Sequence, residues 1–434
     1  MRALLLALLA VIAFAGPALA QNRDVIVIEG PFLRKIPLAI PGFVAGNADP
    51  HTAQACAEGP EILSSALGFT GYFSLIPKAA FIGQVTDAVP PGVVFKDWTA
   101  VGADLIITGK AWYDATGLTM NLRLFDTVSG GLILGRNYHG PVNQLRQMIY
   151  WFCTAMIQEL SGSQGFFESK LAFVSTTTGN KEVYICDFDG QNIKQVSFDS
   201  DLALSPSWSP DGRYLAYVSY KYRARDIIVA NLDRNENVKI SDEAHCSAPV
   251  FAPEGFTLAC SMSREGNADI YTLTGTGKII KRMTSSWGLD TSPSWTPDGK
   301  KLVFASDRGG SPQIYILDIE TGIEKRLTYS GSYNSDPCVS PNGRAIAYCS
   351  KVGGRFEIFV MGVNGENPTA ITRGQGDNES PTWSPDGSLV AFATTREGPW
   401  RVYVSSPSGT DQRRLILMPG QQTQPAWSRN MPRQ

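Results

Sequence analysis

The sequence is poor in the residue types that most enzymes need. There are three histidines, His51, His139 and His245, and no two of them stand at metal-ligand spacing. No Gly-x-Ser-x-Gly nucleophile elbow occurs, and no glycine-rich phosphate loop opens a helix. The seven cysteines, Cys56, Cys153, Cys186, Cys246, Cys260, Cys338 and Cys349, are too scattered for a disulfide scaffold and contain no Cys-x-x-Cys pair. At least one thiol is left over. Cys338 and Cys349 can face each other across a hairpin or remain buried free thiols. Charged residues make up 18% of the chain and the net charge is −2, so no basic stripe awaits nucleic acid and no polybasic segment awaits anionic lipid. Catalysis, a bound metal or other cofactor, and nucleic-acid binding are therefore not expected.

Long apolar runs are missing too, apart from the first twenty residues. There Arg2 precedes the apolar run Ala3 to Ala15, then Gly16-Pro17 and the small-residue tripeptide Ala18-Leu19-Ala20. That pattern reads as a signal peptide spanning 1–20, cleaved before Gln21, and it is too short for the roughly 20 residues of a membrane span. Gln21 rather than cysteine follows the cleavage site, which removes the simplest lipid anchor. The expectation is an exported chain without direct membrane insertion. A near-neutral charge and a two-domain length complete this outline.

What is abundant is glycine, proline and aromatic residues, and they recur with a period. Pro206-Ser-Trp-Ser-Pro-Asp-Gly212 returns as Pro249-Val-Phe-Ala-Pro-Glu-Gly255, Pro293-Ser-Trp-Thr-Pro-Asp-Gly299, Pro337-Cys-Val-Ser-Pro-Asn-Gly343 and Pro381-Thr-Trp-Ser-Pro-Asp-Gly387, and truncated as Pro425-Ala-Trp-Ser-Arg-Asn430. The leading prolines are 43, 44, 44, 44 and 44 residues apart. Behind the turns come apolar strands such as Leu215–Val218, then strands that open on a polar residue, Glu182, Asp226, Asp269, Gln313, Glu357 and Arg401. A fourth short strand ends on Val196, Ile240, Met283, Leu327, Ile371 or Leu415. Four strands per repeat of this length make one propeller blade, so the fold class is mainly β, a six-bladed β-propeller over 166–434.

The first blade lacks a Pro-x-Trp strand and the last such strand, at Trp427, has no blade after it, so each completes the other and closes the ring. Trp208, Phe251, Trp295, Val339, Trp383 and Trp427 are expected between blades. Asp211, Glu254, Asp298, Asn342 and Asp386 lie in Pro-Asp-Gly-type turns and read as turn residues rather than acids or metal ligands.

From 21 to 165 the period is absent, and a small α/β domain is expected. Asp24–Ile28, Leu105–Thr108 and Leu118–Leu124 read as strands. Gln144 to Leu160 reads as a helix with Leu145, Met148, Ile149, Phe152, Met156 and Leu160 on one face, ended by Ser161-Gly162-Ser163. The stretch from Asp49-Pro50 to Phe73 reads as helical but broken in two at Gly59-Pro60. His51 is expected on the surface at a helix start, and His139 in a turn beside Gly140-Pro141.

This combination resembles the TolB family of the Tol–Pal envelope system, through the blade motif together with Ile36-Pro-Leu-Ala-Ile40, Gly102-Ala-Asp-Leu-Ile-Ile-Thr-Gly109 and Leu124-Phe-Asp-Thr127. The resemblance implies a non-catalytic monomeric scaffold in the periplasm with two partners, the lipoprotein Pal on the propeller and the inner-membrane protein TolA on an N-terminal segment. It implies support of outer-membrane integrity and of its constriction in cell division. The TolA segment would be 21–33, with Asp24, Val25, Ile26, Val27, Ile28 and Glu29 able to add as a strand to a partner sheet. Alternatively they form the first strand of their own domain.

For Pal, the distance from the end of each fourth strand to the next leading proline is 10 residues except from Ile240 to Pro249, where it is 9. That irregular loop, Ser241 to Ala248, holds the propeller's only histidine. The resemblance places Pal on His245, Ala248 and Thr291, with Ser247, Ser292, Ser205, Asp336 and Ser380 on the same mouth of the channel. Two other readings stand beside this one: a propeller holding a small ligand or sugar at its channel mouth, and a peptidase-type propeller without its hydrolase domain.

Overall fold

A computed structural model describes residues 35–221, 225–240, 245–264 and 266–432. Its N-terminal region holds one mixed sheet built from β1 (Ile36–Ala39), β2 (Val44–Ala45), β3 (Phe73–Leu75), β4 (Leu105–Asp114), β5 (Gly117–Asp126) and β6 (Leu132–Gly140). The order is β3-β1-β4-β5-β6, with β2 also pairing β4. β1 runs parallel to β3 and β4, and β4, β5 and β6 form an antiparallel meander. The expected strand Asp24–Ile28 lies outside the described residues.

Helices α1 (Pro50–Thr70), α2 (Phe95–Ala100) and α3 (Leu145–Ser161) complete the region. α3 buries all six residues of its expected apolar face and ends on Gly162 at φ 73°. α1 corrects an expectation, because it runs unbroken through Gly59 and Pro60. Proline does remove one backbone hydrogen bond there. Packing outweighs that loss: a Cβ on Gly59 would come within 2.6 Å of the Phe43 ring, so the missing side chain lets the helix close on the sheet. His139 is likewise not in a turn. It lies on β6 opposite Thr119, with Nδ1 3.0 Å from the threonine hydroxyl.

Six four-stranded antiparallel sheets follow, arranged as the blades of a propeller. Blade 1 is completed by the C-terminal strand Gln422–Trp427, which pairs with Lys170–Ser175 as the innermost strand. Closure extends past the ladder: Ser428 N–H donates to the Lys170 carbonyl, Met431 N–H to Glu168, and Trp427 Nε1 to the Ser169 hydroxyl at 2.8 Å. The polar residues that open the third strands are structural. In blade 5, Glu357 accepts from the Thr372 hydroxyl at 2.5 Å and from Asn378 Nδ2 at 3.0 Å, while Thr372 accepts from Ile358 N–H at 2.9 Å. Gln313, Thr328 and Asn334 repeat this in blade 4. These buried networks tie the third strand of one blade to the inner strand of the next, with Asn334 Oδ1 the one atom of the two knots left without a partner.

The aromatic positions fill the seams. Trp208 clusters with Ala172 and Val174 of blade 1 and with Leu215 and Tyr217 of blade 2, and Trp383 bridges blades 5 and 6 in the same way. Seam chemistry alternates around the ring. Trp208 and Trp383 donate their indole N–H to carbonyls of the preceding blade, Ala426 at 2.9 Å and Cys338 at 3.0 Å. At the other seams the backbone N–H of Phe251, Val339 and Trp427 donates to the hydroxyls of Ser207, Ser294 and Thr382. Trp295 breaks the alternation, since its buried Nε1 has no partner. The turn residues behave as expected: Asp298, for one, accepts from the Thr296 hydroxyl at 2.6 Å and from Lys300 N–H at 3.0 Å. All seven cysteines, Cys338 and Cys349 among them, are free thiols.

The N-terminal region shares a core with the propeller, because one apolar cluster runs from Leu38 and Met148 through Phe166 and Phe188 to Val404 and Trp427. Phe69 of α1 packs on Phe166 and Phe188, and the Arg413 guanidinium lies 4.4 Å from the Phe69 ring centre. Arg146 and Tyr150 of α3 both bind the Asp189 carboxylate.

The unpaired indole yields a prediction. Trp208→Phe strands the Ala426 carbonyl, whereas Trp295→Phe removes a donor that is already unsatisfied. Trp208→Phe should therefore cost about 1–2 kcal/mol more stability than Trp295→Phe. Equal costs in urea unfolding would refute this account of the seams.

Candidate functional site

The inner strands line a central channel, and each carries the same irregularity. The ladder register shifts midway along all six, between Leu204 and Ser207, Ser247 and Val250, Thr291 and Ser294, Ser335 and Cys338, Glu379 and Thr382, and Thr423 and Ala426. Each shift contains the leading proline of the repeat, which has no N–H to give to the ladder. The residue before it takes a left-handed conformation: Ser205 at φ 53°, Ala248 at 47°, Ser292 at 52°, Asp336 at 49°, Ser380 at 54° and Gln424 at 49°. None is glycine, and each costs about 1–2 kcal/mol of backbone strain. The ring of blades holds them there.

The channel therefore has a layered wall. Outermost at the mouth stand Leu202, His245, Leu289, Tyr333, Asp377 and Gln421. Next come Leu204, Ser247, Thr291, Ser335, Glu379 and Thr423, and below them the six left-handed residues. The residues between the two upper layers point into the blades: Ala203, Cys246, Asp290, Asn334, Asn378 and Gln422 are all fully buried. From the left-handed layer downward a cavity of about 760 Å³ follows the channel, floored by Ser163, Gln164, Gly165, Arg429 and Asn430. Asn430 donates to the Gly165 carbonyl at 2.9 Å, which holds the floor together.

All eight expected Pal-site residues fall on this wall. Ser205, Ala248, Ser292, Asp336 and Ser380 are the left-handed residues of blades 2 to 6, and Ser247 and Thr291 are equivalent neighbours on blades 3 and 4. His245 is exposed at the rim between Leu202 and Leu289. The expected loop Ser241 to Ala248 is corrected at its end, because the strand of blade 3 already starts at His245. Gln424 completes the ring in blade 1 and was missed, although its place before the sixth proline carried the signal. The expected TolA segment, Asp24 to Glu29, lies outside the described residues.

Charge is unevenly placed. Asp336 and Glu379 are the carboxylates of the two inner layers. Ser292 Oγ donates to Asp336 Oδ1 at 3.2 Å. Burial raises the Asp336 carboxyl above its usual range in spite of that bond. Burial also raises Glu379, and the nearby Asp336 and Asp377 add to the effect. The three histidines sit apart on α1, β6 and blade 3, and no group of three or more His, Cys, Asp or Glu able to hold a metal occurs among the described residues. No described helix is long and apolar enough to cross a membrane.

Comparison with known proteins gives a consistent result. Residues 157–431 match the family model described as the TolB β-propeller domain, and residues 24–133 match the TolB amino-terminal domain. Among curated relatives, the "Tol-Pal system protein TolB" of Desulfosudis oleivorans is 44% identical over 65% of this chain and 65% of its own length. The "Protein TolB homolog" of Chlorobaculum tepidum is 37% identical over 52% and 51%. These alignments span less than two thirds of either relative. The crystal structure of TolB from Acinetobacter baumannii superposes with a TM-score of 0.80 at 28% identity, covering 93% of this chain and 98% of that one.

The channel carboxylate gives a pH prediction. A carboxyl whose folded pKa is raised contributes stability that is complete below its unfolded value, about 3.9, and is lost as pH rises through the folded value. Asp336→Asn removes that loss, so the variant should melt above the wild type at pH 7, with the gain shrinking to nothing as pH falls into the ordinary Asp range. Thermal melts across pH check it, and a pH-independent difference would show that Asp336 is not held uncomfortably ionised.

Proposed function

The chain belongs to the TolB family, and from that membership we propose that it is a non-catalytic periplasmic scaffold of a Tol–Pal system. In this reading the channel mouth binds Pal, the segment 21–33 binds TolA, and the assembly supports outer-membrane integrity and its constriction during division. The observation that carries the reading is the placement of His245, Ser247, Ala248, Thr291 and Ser292 together on two neighbouring blades. A rigid strand scaffold holds them at a solvent-facing mouth, where a fitted partner can exclude water from a pre-organised surface. The three histidines lie apart on α1, β6 and blade 3, and this reading gives none of them a catalytic role.

Ala248→Arg and Thr291→Arg should each weaken Pal by about 2 kcal/mol or more, as central interface positions do. Neither residue is fully buried, so fold stability should change by no more than about 0.5 kcal/mol. Calorimetric titration of the soluble Pal domain, with thermal melts alongside, reads both effects. Unchanged affinity in both variants would move the Pal site elsewhere.

Deleting 21–33 should abolish TolA capture while the melting temperature stays nearly constant, because a terminal segment contributes few buried contacts. Continued TolA binding by the truncated chain would overturn the assignment of Asp24 to Glu29. The hydroxyl-rich cavity below the mouth favours a second reading, a small polar ligand such as a sugar held in the channel. Metabolites retained by the protein through dialysis and identified by mass spectrometry would support that reading.

A further inference from the structure

The mouth is not symmetric, and its departures from the repeat are chemically specific. In the left-handed layer five blades carry Ser, Ala or Gln, and blade 5 alone carries a carboxylate, Asp336. In the layer above, five blades carry Leu, Ser or Thr, and blade 6 alone carries Glu379. The two acids sit on neighbouring blades, close enough that Asp336 disfavours ionisation of Glu379. Four cations among the described residues are engaged elsewhere. Arg308 pairs with Asp290 and Glu324, Lys351 lies over Phe356, Arg396 lies over Phe392 and Tyr403, and Arg429 is at the cavity floor, donating to the Pro253 carbonyl. A carboxylate has about four acceptor sites, and one 3.2 Å hydroxyl bond leaves Asp336 far from satisfied.

Above these acids stands an apolar crescent. Trp287 is 76% exposed, and Leu289 and Tyr333 are exposed beside it on the rim. The loop that carries Trp287 is fixed on both sides. Asn267 Nδ2 donates to the Ser286 carbonyl at 2.6 Å and to the Gly288 carbonyl at 3.0 Å, and Leu289 N–H donates to Asp307 at 2.6 Å. Tyr333 is braced edge-on against Phe356. Exposed aromatics on a pre-organised frame are the usual anchors of a protein interface, because they give large contact area for little ordering entropy.

We propose that the partner seated on this mouth presents an arginine flanked by apolar side chains, its guanidinium entering the channel between Asp336 and Glu379 while the flanking residues pack on Trp287 and Tyr333. This rests on the reading of the mouth as a docking surface and names the chemistry that the surface selects. Asp336 and Glu379 supply carboxylates for only part of the six to eight oxygens that calcium takes, whereas a guanidinium fork meets a carboxylate with two parallel hydrogen bonds. Relief of the mutual repulsion of the two acids adds to the attraction, and a partner lacking the cation would leave both buried and unpaired.

Two probes test this on the full chain. The first is an acetylated, amidated tripeptide of leucine, arginine and phenylalanine, with its citrulline counterpart, which keeps the shape and loses the charge. The arginine peptide should bind the wild type at least about tenfold more tightly than the citrulline peptide, and the Asp336→Asn/Glu379→Gln double variant should erase that difference. Trp287→Ala should weaken both peptides. Equal binding of the two peptides, no binding of either, or an unchanged preference in the double variant would overturn the proposal. Single Asp336→Asn, checked by thermal melt, serves if the double variant fails to fold.

The second probe is the soluble Pal domain. If Pal binds the wild type and the double variant alike, the arginine anchor is wrong and the Pal reading stands. If Pal fails to bind the wild type while the charge-dependent peptide preference persists, the Pal reading is wrong and the anchor stands.

Discussion

The pairing of Gln422–Trp427 with Lys170–Ser175 is the constraint on which the molecule depends. It turns six sheets into a closed ring, so no inner strand lacks a neighbour, and it pins the chain's end to the linker that enters the propeller. An open arc would expose the inner edge of blade 1, a template for unwanted pairing. Closure also lets each blade hold a left-handed residue in front of its proline. One such residue on a free hairpin would relax, but between two packed neighbours it has nowhere to go.

Strain and function meet at this layer. The proline that interrupts each ladder tilts its neighbour toward the channel, so the six left-handed positions and the layer above them face the axis. Mutation of these faces is cheap for the fold, because the residues that hold the blades together alternate with them and point the other way: Asp290, Asn334, Asn378 and Gln422 bury their polar ends in the seams. Strand periodicity thus separates a variable wall from a fixed frame. That separation is how a strict repeat acquires an asymmetric mouth, apolar at Leu202, Leu289 and Tyr333 and acidic at Asp336 and Glu379.

The N-terminal region depends on the same ring. Its apolar cluster continues into blades 1 and 6, the two blades that closure brings together, with Phe69, Phe166 and Phe188 at the join. The Arg146–Tyr150–Asp189 contact fastens α3 to blade 1. A partner that shifted either blade would act directly on the packing of α1 and α3, and so on the region from which the N-terminal segment departs.

Much of the fold was legible from the sequence alone because a repeat reports one environment many times. The period, the strand order, the turn residues and the closing strand follow from local chemistry that recurs at fixed spacing, such as proline stopping a ladder and Asp-Gly making a hairpin. The same regularity marked the loops that converge on the mouth, and the family resemblance singled out Ala248 and Thr291 there. Other features have no local signature. α1 continues through Pro60 because Gly59 meets Phe43, a residue sixteen positions earlier, and His139 joins a strand because Thr119 faces it. Gly277 is required because a Cβ there would sit 1.4 Å from the Ile240 carbonyl of the preceding blade. Nor could spacing reveal that Asp336 and Glu379 become neighbours while their possible cations turn away to other partners. The sequence by itself determined the architecture, since propensity and periodicity act within one blade. The tertiary structure decided the site, since burial, charge pairing and exposure of Trp287 arise only where separate blades meet.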